Sequence, residues 1–490
     1  MKKTKYFIFA AAAALFAACS SDDGLAPEKQ PTAQTGQVPV AFSAYVNRGT
    51  TRAGAQGELV TTAMTGKVDL ATNGFGVFAY YTDNQPYGAM STPDFMYNQF
   101  VSGTTTTGDN PTTTWTYTPI KYWPNEYGDD AQSFGQDRLT FFAYAPYVKV
   151  TPATGRLNTG TAAVDAAKSG IVGLTSNAAT GDPYVKYYVD FNPAKSVDLC
   201  WGVAAEAYNS SVEGSLNGIG AGAPYIDVLK PQAGTAGNIK FAFKHALASL
   251  NVQIDADVNK KTHDETNDVD KNTKIWVRSV TFEVFAEKGS LNLNSTWSST
   301  ATTPQWYELT STNTLIGVGS TTICDGRIDG KEGQTTATAN NEITGLNTKL
   351  TQGGAYNWSD ENGLVVSNDY VGVQKAAVNL FNSTTETTPV FVIPNGQPLK
   401  VTIVYDVETY DTNLAGYLSD GKTKGKSVEN KITKEIKTTG DSPTAITMAA
   451  GKKYTIKLHL GMTSVEFEAT VDDWGDTSTG GEAWLPVNNE

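Results

Sequence analysis

Histidine and cysteine are scarce in this chain of 490 residues, at three each, and charged residues make up only 18%. His245, His263 and His459 lie far apart, so their spacing suggests neither a zinc site nor a histidine-based triad. Cys19, Cys200 and Cys324 are too few for a disulfide framework. Cys200 and Cys324 lack the Cys-x-x-Cys spacing of a metal or redox motif and are expected as buried apolar thiols. Lys and Arg number 37 against 50 Asp and Glu, a net charge of −13 that argues against nucleic acid as a partner. No apolar run is long enough to cross a bilayer as a helix, and neither a Gly-x-Ser-x-Gly elbow nor a P-loop occurs. What is abundant is glycine, at 46 residues, with 40% hydrophobic and 10% aromatic residues. That balance belongs to a folded, turn-rich chain, and the length suits two large domains.

At the N-terminus Lys2, Lys3 and Lys5 precede an unbroken apolar run from Phe7 to Ala18, the pattern of an export signal over residues 1–18. Leu15-Phe-Ala-Ala-Cys19 resembles a bacterial lipobox, in which the thiol of the Cys takes the lipid. Leu at −4 and Phe16 at −3 depart from the usual pattern and leave the ordinary signal peptidase as the alternative. Ser20-Ser-Asp-Asp23 looks like the acidic tag that directs some lipoproteins to the outer face of the outer membrane. Residues 20–37 are polar and read as a tether. Next, Val38, Val40, Phe42, Ala44 and Val46 alternate on one face, which predicts a half-buried strand. Arg48 and Arg52 follow at once in a Gly/Thr stretch open to proteases.

Period-two alternation recurs at 239–243, 250–254, 280–284, 401–405, 454–460 and 465–471. These are expected as strands of antiparallel sheets with one wet face, in an all-β sandwich architecture with at most short helices. A Ser/Thr-rich run at 294–303 is taken as the domain boundary, giving domains at 53–299 and 300–490.

Few constellations could carry chemistry. Gly218-Ile-Gly-Ala-Gly-Ala223 lacks the strand and helix of a dinucleotide loop. The acidic runs 255–259 and 268–272 lack the Gly and Glu of an EF-hand, although an adventitious calcium ion stays open there. No catalytic residue, resident metal or cofactor is expected. The aromatic stretch from Trp115 through Tyr122 and Trp123 to Tyr127 reads as core, with a platform for stacking sugar rings as the alternative.

Five features together resemble the fimbrillin family, the type V pilins of Gram-negative anaerobes. They are the signal ending at Cys19; Thr51-Arg52-Ala53 after the first strand; Tyr122-Trp-Pro124 with Leu139-Thr-Phe-Phe-Ala-Tyr-Ala-Pro146; Phe241-Ala-Phe-Lys-His245-Ala-Leu-Ala-Ser-Leu250; and Ala450-Gly-Lys-Lys-Tyr454 through Leu460-Gly-Met-Thr-Ser-Val465 to Trp474. The resemblance implies two tandem transthyretin-like β-sandwich domains and no enzyme activity. It implies a precursor held in the outer membrane by lipid on Cys19, from which an arginine-specific protease removes residues up to Arg52, or alternatively Arg48. A strand from another pilin subunit then fills the groove left by the first strand. A donor must repeat the alternation, and the tail 482–490 does so with Ala483, Leu485 and Val487, although Pro486 lacks the N–H for one ladder position.

Overall fold

The computed structural model describes residues 38–46, 58–62, 66–83, 85–88, 91–106, 113–124, 137–157, 170–190, 196–206, 220–231, 237–256, 273–282, 285–286, 288–295, 306–307, 321–325, 378–379, 390–394, 396, 398–410, 425–437, 444–460, 465–473 and 484–485. The strands begin with β1 (Val40–Val46), β2 (Glu58–Thr62), β3 (Gly66–Asp69), β4 (Phe75–Tyr81), β5 (Met96–Thr105), β6 (Thr113–Thr116) and β7 (Arg138–Ala145). They continue with β8 (Val150–Thr151), β9 (Arg156–Leu157), β10 (Gly170–Leu174), β11 (Tyr184–Tyr188), β12 (Cys200–Ala204), β13 (Ile226–Leu229) and β14 (Gly237–His245). Next come β15 (Ala248–Ala256), β16 (Thr273–Phe282), β17 (Phe285–Ala286), β18 (Lys288–Asn292), β19 (Trp306–Tyr307), β20 (Thr321–Asp325) and β21 (Val378–Asn379). The last are β22 (Val390–Pro394), β23 (Lys400–Tyr410), β24 (Gly425–Glu435), β25 (Lys452–Leu460), β26 (Val465–Asp473) and β27 (Trp484–Leu485). Among the described residues one short helix occurs, α1 (Leu70–Asn73), and no helix is long and apolar enough to cross a membrane.

The fold is an all-β sandwich. An eight-stranded sheet runs β1-β14-β12-β7-β4-β5-β6 with β13 on β7, and a six-stranded sheet runs β19-β18-β11-β10-β9-β8. A seven-stranded sheet (β17-β22-β15-β25-β26-β27, with β21 on β15) and a four-stranded sheet (β20-β16-β23-β24) make up most of the second half.

Each alternating segment seen in the sequence forms a strand over its described residues, yet three details differ from expectation. The first is direction: β1 pairs with β14, and β15 with β25, in parallel. Alternation reports which face a side chain takes and carries no information about strand direction. The second is burial. Every residue of β7, β12 and β22 is buried, so these strands are covered on both faces, whereas β25 keeps the expected alternation. Along β7, Leu139, Phe141 and Ala143 enter one core while Phe142 and Tyr144 enter another. Trp201 and Val203 of β12 face the second core too, with Ile171, Val185 and Tyr187 of the six-stranded sheet. The third is the boundary. β15 and β16 precede residue 299 but pair with β22, β25 and β23, so the chain first changes sheet between His245 and Ala248, and it returns at β18, which pairs with β11. The Ser/Thr-rich run at 294–303 marks no change of sheet: β18 before it and β19 after it are neighbours.

Among the described residues, buried charge sits at paired sites. Arg138 binds Asp227 through two nitrogens, Nε to Oδ1 at 2.6 Å and Nη2 to Oδ2, and Thr140 donates to the same carboxylate at 3.0 Å.

Candidate functional site

The first strand occupies a slot in the eight-stranded sheet. Its register on β14 runs from Val40 opposite Gly237 to Val46 opposite Phe243. On its other side, the Val40 amide donates to the Lys121 carbonyl at 2.9 Å and the Trp123 amide donates to the Val38 carbonyl at 2.8 Å. Tyr117 Oη adds a bond to the Val40 carbonyl at 2.7 Å. The strand is thus clasped between β14 and the segment 117–123. Gly237 makes the fit possible, since a Cβ there would lie 2.5 Å from Trp123 Nε1 and 2.9 Å from the Pro39 carbonyl oxygen.

Val38, Val40, Phe42 and Ala44 point into one core, each no more than 2% exposed. Phe42 is the centre of an aromatic cage. Its ring lies 5.4 Å from Tyr117, 5.9 Å from Phe141 and 6.3 Å from Phe75 in edge-to-face contact, and stacks on Phe241 at 6.5 Å. Trp115 packs on Phe75 at 5.3 Å and Trp123 on Phe141 at 6.1 Å, both in the same core. The opposite face of β1 is covered too, with Ala41 and Ser43 buried and Tyr45 packed on the second core. Asn238 Nδ2 donates to Ser43 Oγ there at 3.0 Å. The strand expected to be half wet is buried on both faces, because it lies within a covered sheet.

Trp115, Tyr117 and Trp123 therefore form the wall of the β1 slot, while Tyr127 lies outside the described residues. Trp115 and Trp123 are 7% and 5% exposed and offer no open ring face for a sugar. Cys19, Arg48, Arg52, Ala483 and Val487 lie outside the described residues, as does the side chain of Val46. In the tail, Trp484 and Leu485 form β27, paired with Thr470 and Ala469 at the edge of the chain's own seven-stranded sheet.

A second cluster escapes sequence reading. Cys200 and His245 are cross-strand neighbours on β12 and β14, and Asp198 precedes Cys200 by two residues on the approach to β12. Asp198 Oδ2 lies 2.8 Å from His245 Nδ1 and 3.7 Å from Cys200 Sγ, and Cys200 Sγ lies 3.4 Å from the same Nδ1. All three residues are buried. Cys200 is thus a buried thiol as expected, but its setting is polar. Burial pushes its pKa well up, helped by the Asp198 charge, so the thiol is no nucleophile. The arrangement is also not that of a triad, in which acid and nucleophile engage different ring nitrogens.

No protein-family profile and no curated relative matches the chain. Solved structures do match. A fimbrial protein from Bacteroides vulgatus aligns at 20% identity with a TM-score of 0.44, over 82% of this chain and 94% of that one. The chain is similar to Bacteroides fimbrial and adhesion proteins. A candidate cell adhesion protein from Bacteroides uniformis aligns at 13% identity and a TM-score of 0.36, over 91% and 100% of the two chains. A candidate polysaccharide-binding protein from Bacteroides thetaiotaomicron aligns at 9% identity and a TM-score of 0.32, over 89% and 96%.

Proposed function

We propose that this chain is a structural subunit of a type V pilus at the cell surface, without catalysis, serving adhesion or biofilm formation. In this reading it is exported as a lipoprotein on Cys19, cut after Arg52 or Arg48, and polymerised by an incoming strand from another subunit. The observation that carries the reading is the clasped first strand, which is joined to the body through the stretch that holds both arginines. Its loss would uncover the edge of β14, the Lys121 carbonyl and the Trp123 amide, together with an aromatic groove built on Phe75, Phe141 and Phe241. Val38, Val40 and Phe42 each contribute about 1.5–3 kcal/mol of apolar burial that the opened subunit would lack. A groove of that depth with unpaired backbone on both rims is a template for a strand with matching alternation. The tail 482–490 is the candidate donor within this reading.

The test treats the full-length chain, purified in mild detergent, with an arginine-specific protease. A new N-terminus at Ala53, or Gly49, followed by heat-labile ladders on an unboiled denaturing gel is the expected result. A cleaved product that stays monomeric overturns the proposal. Truncation after Gly481 should abolish the ladders if the tail is the donor, and ladders that persist would remove it from that role.

A further inference from the structure

We propose that Asp198, Cys200 and His245 form a structural zinc site at the junction where the chain leaves the eight-stranded sheet for the seven-stranded one. The inference is independent of the pilus reading. Three different donors, a carboxylate oxygen, a thiol sulfur and an imidazole nitrogen, meet within 4.8 Å. A tetrahedral Zn²⁺ with bonds of about 2.0 Å to O, 2.05 Å to N and 2.3 Å to S places sulfur about 3.5 Å from each of the others and N about 3.3 Å from O. The observed separations are 3.4 Å for S to N, 3.7 Å for S to O and 2.8 Å for N to O. Admitting the ion requires the His245 and Asp198 side chains to part by about half an ångström, and its fourth position falls to a water molecule.

Charge supports the same occupant. The site is fully buried, and among the described residues the ion-pair partner of Asp198 is His245. Zn²⁺ with one carboxylate, one thiolate and one neutral imidazole sums to zero, the arrangement a buried site tolerates at least cost. Binding releases the Cys200 thiol proton to solvent as the Zn–S bond forms, and the imidazole ligates through the lone pair on Nδ1 with its proton on Nε2. The Leu199 amide already donates to Asp198 Oδ1 at 2.7 Å, which orients the carboxylate and leaves Oδ2 for the metal. His245 ends β14, and three residues later β15 begins in the other sheet. An ion here ties the approach to β12 to the end of β14 and pins the crossover. The mixed sulfur, nitrogen and oxygen set suits zinc better than calcium or magnesium, which take oxygen alone.

The experiment unfolds the full-length chain with chelator and refolds it with Zn²⁺ or Co²⁺. The expected result is about one metal per chain after desalting, and for Co²⁺ a thiolate-to-metal charge-transfer band with tetrahedral visible absorption. The Cys200→Ser variant should lose the charge-transfer band, and Asp198→Asn should bind more weakly. Should Cys200→Ser fail to fold, the Cys19→Ala/Cys324→Ala variant makes the assignment, because its band can come only from Cys200. A refolded wild-type chain with neither stoichiometric zinc nor a charge-transfer band overturns the proposal, as does loss of the band in the Cys19→Ala/Cys324→Ala variant.

Discussion

Replacing Phe42 by Ala is expected to loosen the first strand without unfolding the molecule. The ring is 1% exposed and touches Phe75, Tyr117, Phe141 and Phe241. Truncating a buried Phe to Ala costs roughly 3–5 kcal/mol from lost transfer energy and the cavity left behind. The lower end applies, because the 117–123 segment that closes the cage lies between strands, outside the regular ladder, and can settle inward. At about 1.4 kcal/mol per tenfold, ~3 kcal/mol makes opening of β1 on the order of 150-fold more frequent. Hydrogen exchange reads this directly, since the amides of Val40 and Trp123 are protected by bonds that exist only while β1 is seated. Both should exchange on the order of 150-fold faster in Phe42→Ala, whereas Ile456 and Ala469 in the seven-stranded sheet should be unchanged. An acceleration below tenfold, or an equal one at all four amides, would refute the reasoning.

Gly237→Ala forces a methyl group against Trp123 and the Pro39 carbonyl; a loss of about 1–3 kcal/mol in β1 docking should appear as faster exchange at Val40, and unchanged exchange would contradict it. Asp227→Asn strands the buried Arg138 guanidinium opposite a neutral amide, so the urea midpoint should fall by the equivalent of about 3–5 kcal/mol at unchanged slope. A drop under 1 kcal/mol would show the pair to be dispensable. Burial raises the pKa of Tyr97, Tyr184 and Tyr454 from 10.0 to about 12. Above pH 10 the unfolded chain sheds those protons while the folded one keeps them, so their stabilisation is complete below pH 10 and is lost as pH rises through about 12. Denaturation midpoints measured from pH 9 upward should therefore fall past about pH 10, and a flat profile would speak against this.

Much of the strand inventory was legible because the face a side chain takes is a local property that repeats every two residues. Val40, Phe42 and Ala44 could be read as an inward row from the alternation alone, and Trp115 and Trp123 as core. The covering of Ala41 and Ser43 could not, since a strand buried on both faces needs a second layer that its own residues do not specify. The apolar run before Cys19 and the two arginines are linear features that the residue order alone displays.

Partner choice belongs to the tertiary structure. Small and aromatic residues fit either hand of pairing, so the parallel docking of β1 on β14 is decided by the slot between β14 and the 117–123 segment. The same holds for the sheet boundary: Leu250 and Val252 alternate as Ile239 and Phe241 do, yet the chain changes sheet between them. The convergence of Asp198, Cys200 and His245 is the sharpest case. Forty-five residues separate the thiol from the imidazole, and only the β12–β14 register sets Cys200 opposite His245. Sequence alone determined which residues share a face, because that follows from backbone geometry over two residues. What they meet there was decided by long-range pairing, whose energy is shared among strands distant in the chain.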